Sequence, residues 1–374
     1  MKRILVALLA LVLALSCFVA CSNDEPKVTT PNPDSEGKEP EQLPAPDYDF
    51  MGNDLTGFVT LGQYKGLTVE VEPKLVITDE YFEREIKTQL IEYGHNNEIK
   101  EGTVGEDDVV RIKYVGYLGD EKFEGGTGNS QYFTIYNGGG YIEGFAEGLV
   151  GATIGQEFDL NVTFPEDYHN EDLKGKAVVF KTTVECVYEV KELTDAVVDN
   201  LSNGEIKTVD DFYTQARELM EKQAESEYKT AKLNAIWDKI FELSKEVKLP
   251  EDVVEEYYQY TLQYYKNYAT NSWMTLEAFL EYIGLTLDDI REESKTQVFS
   301  DMIVYSLIKA ENISITDEFY KQRLKEIAEE SGVEEKEILE YYGEEEFKEM
   351  LLYTKGYEAV LEWNTCVDKT TENN

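Results

Sequence analysis

A chain of 374 residues is long enough for two or three domains with proper cores. Its 35 Lys and Arg against 76 Asp and Glu give a formal net charge of −41, which argues against nucleic acid as a partner, because phosphate binding needs basic patches. With only His95 and His169, and no paired Cys/His spacing, nothing points to a zinc site or a His-based nucleophilic triad, so no metal or cofactor is expected.

Met1-Lys2-Arg3 is a positive start, and Ile4 to Leu15 is an apolar run too short to span a bilayer as a mature helix. Residues 1–20 therefore read as a secretory signal peptide. Phe18-Val19-Ala20-Cys21, followed by polar Ser22-Asn23-Asp24-Glu25, resembles a bacterial lipobox. That resemblance implies a lipidated Cys21 and a place on the extracytoplasmic face of the cell membrane. Phe18 stands where Leu is commoner, and plain secretion is the alternative. Residues 21–49 hold six of the nine prolines among acidic and hydroxyl residues, and read as a disordered tether.

Residues 50–103 form an approach segment of strand and helix. Leu61 to Val71 is strand-like. Thr78 caps an expected helix to about Tyr93, with Asp79 and Glu80 at its positive dipole end and Tyr81, Phe82, Ile86, Leu90 and Tyr93 as its apolar face. The stretch 104–191 is all strands and turns. Val109 to Val115 is β-branched and ends at Gly116; Phe158 to Phe164 alternates; Ala177 to Val187 is a third strand. Gly125-Gly126, Gly138-Gly139-Gly140, Gly144, Gly148 and Gly151 mark tight turns or close approaches.

The phrases Phe123-Glu124-Gly125-Gly126 and Tyr141-Ile142-Glu143-Gly144-Phe145-Ala146-Glu147-Gly148-Leu149 resemble an FKBP-type peptidyl-prolyl isomerase domain. Phe164-Pro165-Glu166-Asp167-Tyr168, continuing to Lys176, is similar to the isomerase domain of the trigger factor family. The resemblance implies an antiparallel sheet wrapped on a short helix, in an α+β protein. It also puts Tyr114, Phe123, Tyr132, Tyr141, Ile142, Phe145 and Phe180 on the walls of a proline pocket. Phe145 would be its floor, Glu124 a polar contact near the amide, and Tyr168 part of an overhanging loop. The doublet Tyr132-Phe133 leaves that wall position open by one residue, and Asn137 stands where the family usually has glycine.

Helical periodicity fills 192–368. It covers Val209 to Met220, Leu233 to Leu243, a start at Leu249-Pro250-Glu251, Thr286 to about Glu311, Ser314 to Gly332, and Glu344 to Trp363. The order resembles the all-α, SurA-like C-terminal chaperone arms of trigger factor. Ile77-Thr78-Asp79-Glu80 recurs as Ile315-Thr316-Asp317-Glu318, which shared capping explains better than a repeat. Tyr257, Tyr260, Tyr264 and Tyr268 make a stripe that either packs on a neighbouring helix or binds client chains. Cys186 and Cys366 either pair outside the cytoplasm or remain buried thiols.

Together these features imply an isomerase and folding chaperone for exported, unfolded polypeptides with X-Pro bonds, held at the membrane by a lipid. A signal peptide and tether stand where trigger factor carries its ribosome-binding part, so no ribosome contact is expected. Two alternatives are a holdase with an inactive pocket and a solute-binding lipoprotein, although the latter calls for repeated βαβ patterns. Replacing Cys21 with Ser is expected to move the protein from the membrane to the soluble fraction of its cell; unchanged partitioning on fractionation would remove the anchor.

Overall fold

The computed structural model describes residues 46, 48–136, 141–168 and 170–369. The expected signal peptide, Cys21, nearly all of the tether, Gly138-Gly139-Gly140 and His169 lie outside them. The chain divides into two compact units. One comprises residues 76–224, and the other joins the described residues before Val76 to those from Glu225 onward. The approach segment 50–103 is thus split between the two.

In chain order the strands β1 (Val59–Thr60) and β2 (Thr68–Val71) precede helix α1 (Asp79–Glu92). Then come β3 (Asn96–Ile99), β4 (Val109–Leu118), β5 (Glu121–Thr134), β6 (Glu157–Thr163) and β7 (Ala177–Val190). The expected cap at Thr78 forms, its hydroxyl accepting from the Tyr81 N–H at 3.1 Å. Phe82, Ile86 and Leu90 are buried as expected, whereas Tyr93, just past the helix, is exposed.

The five strands β3 to β7 form one antiparallel sheet in the order β3-β7-β4-β5. β6 lies beside β7, pairing Glu157 with Thr183 through to Thr163 with Ala177, while β3 pairs further along, from Ile99 with Val187 to Asn96 with Val190. β7 is long enough to carry β4 on one edge and both short strands on the other. Ile112, Phe133, Leu149, Val162, Val178 and Val184 make the core of one face, with the three-residue 3₁₀ turn Glu147–Leu149 laid on it as the short helix. Ile91, Val109, Cys186 and Tyr188 form a smaller core. The Cys186 thiol is buried and free, and the half-buried Cys366 is free too.

One expectation fails here, since β4 does not stop at Gly116 but runs to Leu118. At Gly125-Gly126, where a tight turn or a close approach is expected, the chain is a 14-residue strand, β5, with Gly126 closely approached by Phe123. Gly125, Gly126 and Gly128 erased the alternation by which a strand is recognised.

The second unit is helical. Helices α2 (Asp195–Leu201) and the start of α3 (Val209–Leu243) belong to the first unit; the rest of α3 opens the second. There follow β8 (Lys245–Glu246), α4 (Glu251–Asn271), α5 (Leu276–Ile283), α6 (Leu287–Ala310), α7 (Asp317–Ser331), α8 (Glu335–Tyr342), α9 (Glu344–Trp363) and β9 (Thr365–Asp368). The two periodic stretches of 209–243 are one helix. The short helices α2, α5 and α8 do not stand out as separate elements in the helical stretch, because they offer too few turns for a period to register. Thr286 and Asp289 form a capping box, Thr316 caps α7, and Gly332 ends it at φ 66°.

Trp237, Ile240, Met302, Ile303, Leu307 and Val360 form the helical core. The segment before α1 joins this unit by backbone pairing. β1 is antiparallel to β8 and β2 parallel to β9, the one parallel pairing among the described residues, so no βαβ repeat appears there. Asn364 locks the junction, accepting from the Leu67 N–H at 2.8 Å and donating to the Tyr64 carbonyl at 3.0 Å. No described helix is long and apolar enough to cross a membrane.

Asp301 is buried in this core. It accepts hydrogen bonds from Tyr257 at 2.8 Å, Gln297 at 2.9 Å and Tyr353 at 3.0 Å. Burial pushes its carboxyl pKa up, and the three donors only partly oppose this. The folded state therefore holds a proton that the unfolded chain gives up at lower pH. Stability is lost as pH rises from the ordinary Asp range through the raised value. Relative to Asp301→Asn, the wild type is expected to lose stability across that interval; parallel pH profiles of denaturant midpoints would contradict this.

Candidate active site

Strand alternation decides which rings meet. On β4, Ile112 and Tyr114 are buried, and Gly116 continues the same face without a side chain. Gly116 is paired with Phe180 of β7, and Phe123 of β5 reaches the same spot. A Cβ at Gly116 would lie 2.5 Å from Phe123 Cζ and 2.8 Å from Phe180 Cε1. A Cβ at Gly128 would lie 2.5 Å from Tyr114 Cε1, and one at Gly126 would lie 2.6 Å from Phe123 Cε2. These glycines are seats for aromatic rings.

The seated rings form a continuous cluster. Phe123 meets Phe180 edge-on at 5.7 Å between centroids and Phe164 at 5.9 Å. Tyr114 stands edge-on to Phe180 at 5.5 Å and to Phe145 at 5.6 Å. Tyr141 stacks on Phe145 at 4.6 Å, and its hydroxyl lies 3.1 Å from that of Tyr114. Tyr168 packs on Phe164 at 4.5 Å, and Ile142 packs against the cluster. Such edge-to-face and offset contacts suit the ring quadrupoles. Burial raises the pKa of Tyr141 most, helped by the Tyr114 hydroxyl; burial also raises Tyr114 and Tyr168. All three are neutral phenols at physiological pH.

Seven of the nine sequence-derived residues thus share one cluster: Tyr114, Phe123, Tyr141, Ile142, Phe145, Tyr168 and Phe180. Tyr132 does not. It is half-exposed and stacks on Tyr188 at 4.8 Å, while its neighbour Phe133 enters the cluster, 4.9 Å from Tyr141. A one-residue step along a strand reverses the face, so the doublet resolves in favour of Phe133. Glu124, one residue on from Phe123, is exposed.

A groove of about 1080 Å³ lies elsewhere in this unit, lined by Phe82, Ile86 and Leu90 of α1, by Val187 and Val190 of β7 and by Arg217 of α3. It holds none of the nine residues. Among the described residues no group of His, Cys, Asp or Glu side chains could hold a metal ion.

In the helical unit the tyrosine stripe divides. Tyr260, Tyr264 and Tyr268 are exposed. Tyr257 is withdrawn, its hydroxyl bonded to Asp301, because it faces α6. Sequence reading missed Trp273, just beyond α4, which is 79% exposed at φ 57°. Being single and outside any period, it gave no helical signal.

Residues 100–191 match the family model for FKBP-type peptidyl-prolyl cis-trans isomerase, and residues 208–364 match that for the C-terminus of bacterial trigger factor protein. The trigger factor of Shouchella clausii is 32% identical over 279 residues, covering 72% of this chain and 63% of that protein. That of Bacillus cytotoxicus is 33% identical over 283 residues, covering 72% and 64%. That of Enterococcus faecalis is 31% identical over 350 residues, covering 89% and 81%. The chain belongs to the trigger factor family, although it spans less than two thirds of the length of some of these relatives. A solved trigger factor chaperone is 19% identical, covering 81% of this chain and 72% of its own, at a TM-score of 0.33, which adds no weight.

Gly116→Ala is expected to cost about 1–3 kcal/mol by forcing Phe123 and Phe180 apart. Gly105→Ala, whose Cβ would meet nothing nearer than 3.4 Å, serves as the control. Equal denaturant midpoints for the two variants would refute the ring-seat role.

Proposed function

We propose that this chain isomerises X-Pro bonds and holds unfolded, exported polypeptides at the outer face of the cell membrane, anchored by a lipid on Cys21 and independent of the ribosome. Residues 104–191 carry the isomerase and residues 192–368 the chaperone surface. The isomerase part of this reading rests on the aromatic cluster of Tyr114, Phe123, Tyr141, Phe145 and Phe180, inside the stretch that matches FKBP-type isomerases, and the anchored, exported part on Phe18-Val19-Ala20-Cys21.

Prolyl isomerisation needs no nucleophile, metal or redox group. Amide resonance sets a barrier of roughly 18–20 kcal/mol, and a site lowers it by binding the twisted amide better than the planar one. Apolar rings hold the proline ring and exclude water, which solvates the polar planar amide, and a nearby donor holds the turned carbonyl. A millionfold acceleration asks for about 8 kcal/mol of such differential binding. Exposed Tyr260, Tyr264 and Tyr268 offer apolar area with a wet edge, suited to weak contacts with many chains.

A second reading, a holdase without catalysis, is favoured by the complete burial of Phe145, the expected pocket floor. Isomerisation of a short Xaa-Pro peptide by the full chain separates the two. A rate well above background, falling at least about tenfold in kcat/KM for Phe123→Ala, is expected of the enzyme. Background rate from folded wild type would leave the holdase.

A further inference from the structure

The groove of about 1080 Å³ takes no part in the reading above. All of its lining lies between Asp79 and Glu221, inside the first unit. One wall is a single face of α1, from Asp79 through Phe82 and Ile86 to Leu90, which spans about 16 Å or three helical turns. The other wall is one face of α3, from Tyr213 through Arg217 to Glu221. Both rest on a shared apolar base, where Phe82, Ile86 and Leu90 pack with Ala216 and Met220. Val187 and Val190 of β7 and the exposed Ile99 of β3 complete the apolar lining.

The charge around this lining is one-sided. Six carboxylates stand against two cations, and both cations are already engaged. Arg217 donates to Asp79 Oδ1 at 2.7 Å and to the Ile77 carbonyl at 3.2 Å. Lys87 donates to the Asp107 carbonyl and lies 3.8 Å from Asp108. The other four, Glu83, Glu189, Glu218 and Glu221, are exposed and join no ion pair among the described residues. Glu218 and Glu221 stand three apart on one helix, so they repel each other. Cations seated on this rim would relieve a repulsion that the free protein bears.

The backbone decides the form of the occupant. β7 is already paired on both edges here, Val187 with Ile99 and Val110, and Tyr188 with Glu98 and Val109. An extended segment gains no main-chain hydrogen bonds from β7, whereas a helix brings its own backbone satisfied. Charge excludes the occupants that this chain itself could supply. Residues 21–45 carry Asp24, Glu25, Asp34, Glu36, Glu39 and Glu41 against Lys27 and Lys38, and a second copy carries a net charge of −41. We propose that the groove docks a cationic amphipathic helix of a partner protein. Its apolar stripe lies on the base formed by Phe82, Ile86 and Val187, and its Lys or Arg flanks meet Glu83, Glu189, Glu218 and Glu221. This docking does not depend on the isomerase reading.

The probe is a fluorescein-labelled peptide of about 18 residues, long enough to hold helix in solution, with leucine on one stripe and lysine on both flanks. It is titrated with the full chain and followed by fluorescence anisotropy. Binding that weakens as salt rises is expected, and none for the same peptide with glutamate in place of lysine. Glu83→Lys with Glu218→Lys is expected to raise Kd at least about tenfold. Glu277→Lys with Glu281→Lys makes the same change of net charge at exposed positions of α5, and is expected to shift Kd less than about twofold. Equal weakening by the two pairs would reduce the effect to net charge. Equal binding of a scrambled peptide of the same composition would make the groove a surface for unstructured chains. Either result overturns the proposal, as does the absence of binding by wild type. Isomerase rates enter none of these readouts, so failure of one reading leaves the other standing.

Discussion

Aromatic rings from three neighbouring strands can converge on one face of a β-sheet only if something gives way beneath them. Here the missing side chains of Gly116, Gly126 and Gly128 give way. Phe123 and Phe180 meet over the first, and Tyr114 lies over the third. Because cluster contacts are many and individually small, each ring is held by several neighbours rather than by one strong bond. The half-buried residues of the candidate site, Tyr141, Ile142 and Tyr168, rest on this inner layer.

The proposed activity asks for little recognisable chemistry. Isomerisation makes and breaks no covalent bond, so it needs shape, dryness and one or two donors. Within the cluster a hydrogen bond joins the hydroxyls of Tyr114 and Tyr141. Charge is kept outside, with Glu124 exposed beside the buried layer. The helical unit places its polar interior elsewhere. Asp301, with Tyr257, Tyr353 and Gln297, satisfies a buried carboxylate that would otherwise be costly, and leaves the outer tyrosines of α4 free of that network.

Much of this was legible locally. Thr78, Thr286 and Thr316 cap their helices through hydroxyls that reach only three residues along the chain, so spacing alone announces them. Glu344–Trp363 is long enough for its period to show. Resemblance supplied seven of the residues that the cluster unites. The misses have a common cause. β5 lacks alternation because Gly126 and Gly128 stand where the rings of Phe123 and Tyr114 lie, and Tyr132 against Phe133 depends on a face that only pairing with β4 defines.

By itself the sequence determined the caps of several helices, which stretch is a sheet, and which family's pattern the chain carries, because these depend on neighbours a few residues apart. Tertiary structure decided the rest. Contacts across 182 residues, such as the Gly62 N–H donating to Ser244 Oγ, put the early strands with the late helices. Packing left Phe145 without exposed surface while Tyr141 stayed half-buried, and the bond to Asp301 turned Tyr257 inward. Exposure is a property of what packs on a residue from far along the chain, and no local pattern encodes it.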